Sequence, residues 1–180
     1  MDLDLTLLGN SHPKLHNKVL SPLVMHAGLS LQLRRHAPGV LLEAQINEAS
    51  ERLALCWTPV ELEIAHQTDR KRNTEDGAEA VSLVIAGKKM RWCFLRRLQQ
   101  GEYADYLLSA EGTGAAARSL VALEVSGAAE TDSARLKEKL LQVGRCWLKE
   151  LEKEPDIKAA CVVEFGPPRA RLATLQTAMG

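Results

Sequence analysis

The sequence has no surplus of charge: 23 Lys and Arg balance 23 Asp and Glu across 180 residues. A dedicated non-specific DNA binder gains most of its affinity by neutralising phosphates and carries a basic excess, so composition argues against that class. No apolar run approaches the ~20 residues of a membrane-spanning helix, and no membrane association is expected. The start, Met1-Asp-Leu-Asp-Leu-Thr6, lacks the basic and then apolar pattern of a secretory leader, which predicts a cytoplasmic protein. Cys56, Cys93, Cys146 and Cys161 include no Cys-x-x-Cys pair and three lie in apolar runs, predicting buried thiols rather than disulfides or zinc ligands. There is no Walker loop, dinucleotide-binding glycine pattern, serine-hydrolase elbow, internal repeat or low-complexity tract. What remains is an ordinary globular composition, 46% hydrophobic and 26% charged, long enough for one domain with a core or one domain with an extension.

The stretch from Tyr103 to Gly127 organises the chain. Two apolar runs, one after Asp105 and one through Leu120-Val-Ala-Leu-Glu124-Val-Ser126, flank a glycine-rich link and read as paired strands. Alternation puts Leu120, Ala122, Glu124 and Ser126 on one face and Val121, Leu123 and Val125 on the other. Glu124 therefore shares a largely apolar face, where a carboxylate is costly unless it is paired or binds a metal.

Around that pair the periodicities predict the following. Residues 1–20 read as a loop, with His12 and His16 four apart but interrupted by Pro13. A helix runs from Ser21-Pro22 toward Arg35, with His26 half-buried or on its surface. Val40–Gln45 and Arg52–Trp57 form a hairpin across Asn47-Glu-Ala-Ser, and Val60–Ile64 alternates like a half-exposed strand. Arg70-Lys71-Arg72 reads as a solvated connector or, less favoured, a phosphate contact. Asn73 or Thr74 then caps a helix that starts with Glu75 and Asp76, carries Glu79 one turn on, and ends at Gly87. Met90–Leu98 is a strand. Thr131-Asp-Ser133 caps a long helix to about Glu152 with the apolar stripe Leu136, Leu140, Val143, Trp147 and Leu151, stopped by Pro155. Ala159–Phe165 and Ala170–Leu175 are strands joined at Pro167-Pro168.

Asp105, followed by Glu124-Val125-Ser126, resembles the Asp and Glu-x-Lys signature of the PD-(D/E)XK nuclease superfamily, with serine in the lysine position. Asn73-Thr-Glu75-Asp-Gly-Ala-Glu79 is similar to its acidic first helix, and Arg135-Leu-Lys-Glu-Lys139-Leu-Leu-Gln142 to the helix that closes its site. Leu123-Glu-Val-Ser-Gly127 is similar to a bacterial group within it that has Glu-x-Ser-Gly. The resemblance implies an α/β fold with a restriction-endonuclease-like core over residues 66–180, in the order helix, three-strand meander, helix, strand. Residues 1–65 would be a strand-rich N-terminal extension that lengthens the sheet, covers a face or meets a protein partner or a second copy.

It also implies a hydrolase of phosphodiester bonds in DNA or RNA that uses Mg²⁺ or Mn²⁺. Asp105, Glu124, the carbonyl of Val125 and Glu79 are the candidate metal ligands, a set of hard oxygens that suits such a cation. Ser126 cannot supply the lysine's charge. On a helix, Arg135, Lys139, Gln142 and Cys146 form a stripe beside the apolar one, so Lys139 is a candidate to deliver the ammonium and Gln142 to orient water. Arg135, with Arg70, Lys71 and Arg72, is a candidate nucleic-acid contact. The competing expectation is a nuclease fold without catalysis, serving as a binding or assembly module.

Overall fold

The computed structural model describes residues 2–61, 69–110 and 119–176. The glycine-rich link at 111–118, most of the strand expected at Val60–Ile64, and His66 to Thr68 of the polar stretch lie outside them. Among the described residues eight strands form one mixed sheet: β1 (Asp2–Asp4), β2 (Val40–Ile46), β3 (Ala49–Cys56), β4 (Trp92–Arg97), β5 (Tyr106–Ala110), β6 (Ser119–Ala128), β7 (Ile157–Glu164) and β8 (Arg169–Gln176). Their spatial order is β1-β3-β2-β8-β7-β6-β5-β4. Among the described residues four α-helices accompany them: α1 (Leu8–Ser11), α2 (Asn17–Gln32), α3 (Arg70–Met90) and α4 (Arg135–Val143). The protein is thus α/β, and none of its described helices is long and apolar enough to cross a membrane.

The β2–β3 hairpin turns at Asn47, whose positive φ of 53° suits Asn. It joins the sheet through parallel pairing of β2 with β8, so the N-terminal strands lengthen it. From α3 onward the order is one helix, the antiparallel meander β4-β5-β6, helix α4, and then β7 parallel to β6.

Alternation along β6 divides the interior. Val121, Leu123 and Val125 enter the larger core with Ala78, Val81 and Ile85 of α3. Ala122 instead meets Val143, Cys146, Leu148 and Ala160 in a smaller core under α4. Helices α2 and α3 therefore cover one face and α4 covers the other. At Gly127 the close approach of α3 leaves no room for a side chain, because a Cβ there would lie 2.2 Å from the Thr74 carbonyl oxygen. Gly127→Ala is expected to cost at least about 2 kcal/mol, a Tm loss of roughly 5 °C or more; an unchanged melting curve would remove this contact from the account.

Several expected boundaries are corrected. Helix α2 starts four residues before Ser21, capped by His16, whose Nδ1 accepts from the Lys18 N–H. His26 is buried on it, 2.7 Å from Asp76. His12 follows the short α1 rather than lying in an open loop, and its buried ring bridges the Leu83 carbonyl and the Phe94 N–H. Burial lowers its pKa and favours this neutral, doubly bonded ring.

Helix α3 begins at Arg70, with Asp69 accepting from the Lys71 and Arg72 N–H groups, so the basic run is its first turn and no connector. It ends at Arg91 in the left-handed region, and Gly87 lies inside it, packed against Ser11. Helix α4 stops at Val143 rather than near Glu152. Buried Lys158 takes the Gly144 carbonyl, and the Lys149 N–H goes to Glu102, interactions that replace continued helix bonds. Trp147 and Leu151 consequently leave the apolar stripe and stand 48% and 50% exposed. All four cysteines are free thiols: Cys146 and Cys161 are buried, Cys56 and Cys93 half-buried.

Candidate active site

Asp105 sits at the bend entering β5, where its own N–H is bonded to the Leu123 carbonyl. Its carboxylate accepts from the Val125 N–H at 2.7 Å, extending the β5–β6 ladder with a side chain. A strand residue's N–H and C=O leave on the same side, so the Val125 carbonyl also faces past the end of β5. Asp105 and Glu124 are neighbours across β5 and β6, and each acts on the other's titration. Glu124 is 4% exposed, on the α4 side of β6.

Burial and the neighbouring Asp105 charge push Glu124 up to about 7. Burial also raises Asp105, against the Val125 N–H and the Lys139 charge. One proton or one cation between them would relieve the pair.

A cation arrives from α4. Lys139 Nζ donates to Glu124 Oε1 at 2.8 Å and to Gln142 Oε1 at 3.1 Å, so the two polar residues of the predicted stripe meet at this carboxylate. The ammonium is held rather than loose, with its side chain 19% exposed. Ser126 follows Glu124 on the same face and is largely buried.

Glu79 lies elsewhere. It projects from α3, on the other face of the sheet, where it accepts from the Tyr106 hydroxyl and from the Arg97 guanidinium. Burial raises its pKa, with the Tyr106 hydrogen bond and the Arg97 charge opposing. Among the described residues no three His, Cys, Asp or Glu side chains converge on one point, so Glu79 does not complete the expected set. The donors present are two carboxylates and a backbone carbonyl. That set suits Mg²⁺ or Mn²⁺, which keep several waters and are held by one or two carboxylates, and does not suit zinc.

Compared with known proteins, the chain matches no family model, no curated protein and no solved structure.

Beyond Gly127 the sheet opens into a pocket of about 570 Å³ between the N-terminal ends of α3 and α4. Arg70, Lys71 and Arg135 line it together, as does Arg34 from just after α2. Arg72 does not, because it turns toward Asp76 at 3.5 Å. Arg34 was not singled out by the sequence, although the adjacent Arg34-Arg35 is a visible basic pair. Glu102 escaped notice too. It is 2% exposed, is bonded by Arg96 and by the Gln99 and Lys149 N–H groups, and ties the loop before Asp105 to the turn after α4.

Proposed function

We propose that Asp105, Glu124 and Lys139 form the hydrolytic site of a metal-dependent nuclease acting on DNA or RNA, built on a restriction-endonuclease-like core. The observation that carries the reading is Lys139: its ammonium lies 2.8 Å from Glu124, on the same side of the sheet as Asp105. The order helix, meander, helix, strand supports the same reading.

Hydrolysis forms a bond from a water oxygen to phosphorus and breaks the bond to one ester oxygen, which takes up a proton. Asp105, Glu124 and the Val125 carbonyl would hold Mg²⁺ or Mn²⁺, which when bound supplies charge relief at the phosphoryl group and a more acidic water. Lys139 orients the attacking water with its charge and the one proton not given to Glu124 or Gln142. Gln142 fixes the ammonium. Asp105 keeps its position through the Val125 N–H, a bond that holds the carboxylate against rotation.

One observation favours a second reading, a binding or assembly module without catalysis. The Lys139–Glu124 pair already neutralises that carboxylate internally, and Ser126 adds no charge. Titration with Mn²⁺ at pH 8, followed by calorimetry or electron paramagnetic resonance, separates the two. The nuclease reading predicts one ion per chain, with affinity reduced at least about tenfold by Asp105→Asn or Glu124→Gln. No Mn²⁺ uptake by the wild type, or equal uptake by the variants, would favour the second reading.

A further inference from the structure

The pocket between α3 and α4 gathers four cationic side chains, of which Arg34 is held by the Ser30 and Ala129 carbonyls and Arg135 lies near Asp132. Arg70 and Lys71 occupy the first turn of α3, where the helix N-terminus is already partly positive and added cations are unfavourable. Arg34 and Arg135 converge on the same space from two other parts of the chain. Among the described residues, neither Arg34 nor Arg70 has a carboxylate within ion-pair distance, Lys71 reaches Glu75 only at 4.0 Å, and Arg135 reaches Asp132 only at 3.9 Å. Burial and the charge of Arg70 both lower the Arg34 pKa, against Glu130. Such crowding costs folding energy, and a bound anion offsets it.

The size and charge of the space narrow the anion. Within its lining four cations exceed two carboxylates, Glu75 and Glu130, by two charges, and Asp132, 3.9 Å from Arg135 but outside the lining, offsets part of that surplus. A phosphate monoester carries about two negative charges near neutral pH, whereas a diester within a strand carries one. A volume of about 570 Å³ falls within the usual range for ligand pockets, ~300–1,000 Å³, and admits a phosphate with its nucleoside. Asp105, Glu124 and Lys139 do not line the pocket, but the chain links the two closely. Gly127 is three residues beyond Glu124 on β6, and Arg135 stands one turn before Lys139 on α4.

We infer that this pocket seats a terminal phosphate, so that the protein recognises a nucleic-acid strand by its phosphorylated end and presents a nearby diester to Asp105, Glu124 and Lys139. The inference rests on the nuclease reading for its substrate. The pocket itself is tested by binding alone.

The test is equilibrium binding of the full chain, in EDTA so that nothing is cut, to fluorescent single-stranded oligonucleotides. These carry a 5′-phosphate, a 3′-phosphate or only hydroxyl ends, and a nucleoside 5′-monophosphate serves as competitor. One of the phosphorylated ends should bind at least about tenfold more tightly than hydroxyl ends. Arg70→Gln and Lys71→Gln, both at exposed positions, should each shrink that preference to about threefold or less. Equal affinity for phosphorylated and hydroxyl ends overturns the inference, as does a preference that survives both substitutions. A free monophosphate that binds as tightly as the phosphorylated strand also overturns it and assigns the pocket to a nucleotide. Cleavage of phosphate-free substrates in Mg²⁺ reports separately on the nuclease reading, which can stand if the end preference fails.

Discussion

Lys139→Ala is expected to lower metal-dependent cleavage by about 10²–10⁴-fold while the chain stays folded. The side chain projects from a short helix onto Glu124, and its removal takes the only cation bonded to that carboxylate among the described residues. Packing changes little, because Leu136, Leu140 and Val143 rather than Lys139 fill the space under α4. Ser126 offers a rescue that a merely structural role would not predict. It shares the face of Glu124 two residues on, about 7 Å along the strand, so a lysine there reaches the same carboxylates. Lys139→Ala combined with Ser126→Lys should recover at least about a tenth of the lost rate. An unchanged rate in Lys139→Ala would show that the ion pair is structural and that catalysis, if present, uses another charge.

Without metal, the protein should lose stability as pH rises from about 4.5 to 8. The sign follows from Glu124: its carboxyl titrates near 4.5 in an unfolded chain and at about 7 in the fold. Below 4.5 both states hold the proton, and the fold keeps its full advantage. Between the two values the unfolded state releases the proton first, so unfolding gains. The loss is on the order of 3 kcal/mol at most, or roughly 5–10 °C in Tm.

Burial raises Asp105 and acts in the same direction, whereas the Val125 N–H, Lys139, the interaction with Glu124 and Arg97 oppose it, and Lys139 opposes the rise of Glu124. Glu124→Gln keeps the shape, removes the titration and should flatten the profile, leaving the variant more stable than wild type at pH 8 in EDTA. Added Mg²⁺ should stabilise wild type at pH 8 and have little effect at pH 5. Parallel profiles for wild type and Glu124→Gln between pH 5 and 8 would contradict the shared-proton description.

The central pairing was legible because it depends on local alternation. Period two along Leu120–Ser126 fixed which residues share the Glu124 face, and the antiparallel β5–β6 ladder brings Asp105 opposite it. The stripe of Arg135, Lys139 and Gln142 was legible for the same reason, since helical spacing is a short-range property.

What escaped depends on groups distant in sequence. Helix α4 carries an apolar pattern that continues past Gly144, but its end is set by Lys158 and Glu102, which lie 14 residues after Gly144 and 47 before Lys149. Glu79 looked available because Tyr106 and Arg97, 27 and 18 residues away, take its oxygens only in the folded sheet. The start of α3 was misplaced because acidic residues favour a first turn and cations do not, so Glu75 and Asp76 were the better local match. Asp69 overrode that preference as the cap. That violation of a local rule put Arg70 and Lys71 on the wall of the pocket.

The most direct test of the central claim is cleavage of a mixed panel of DNA and RNA, single- and double-stranded, by wild type, Asp105→Ala and Glu124→Ala. Each protein is assayed in Mg²⁺, Mn²⁺ and EDTA, with circular dichroism confirming the fold. Wild type should cut at least one substrate with either metal and none in EDTA, and both variants should lose at least about 10²-fold in rate. Folded Asp105→Ala and Glu124→Ala proteins that cut as well as wild type would contradict it.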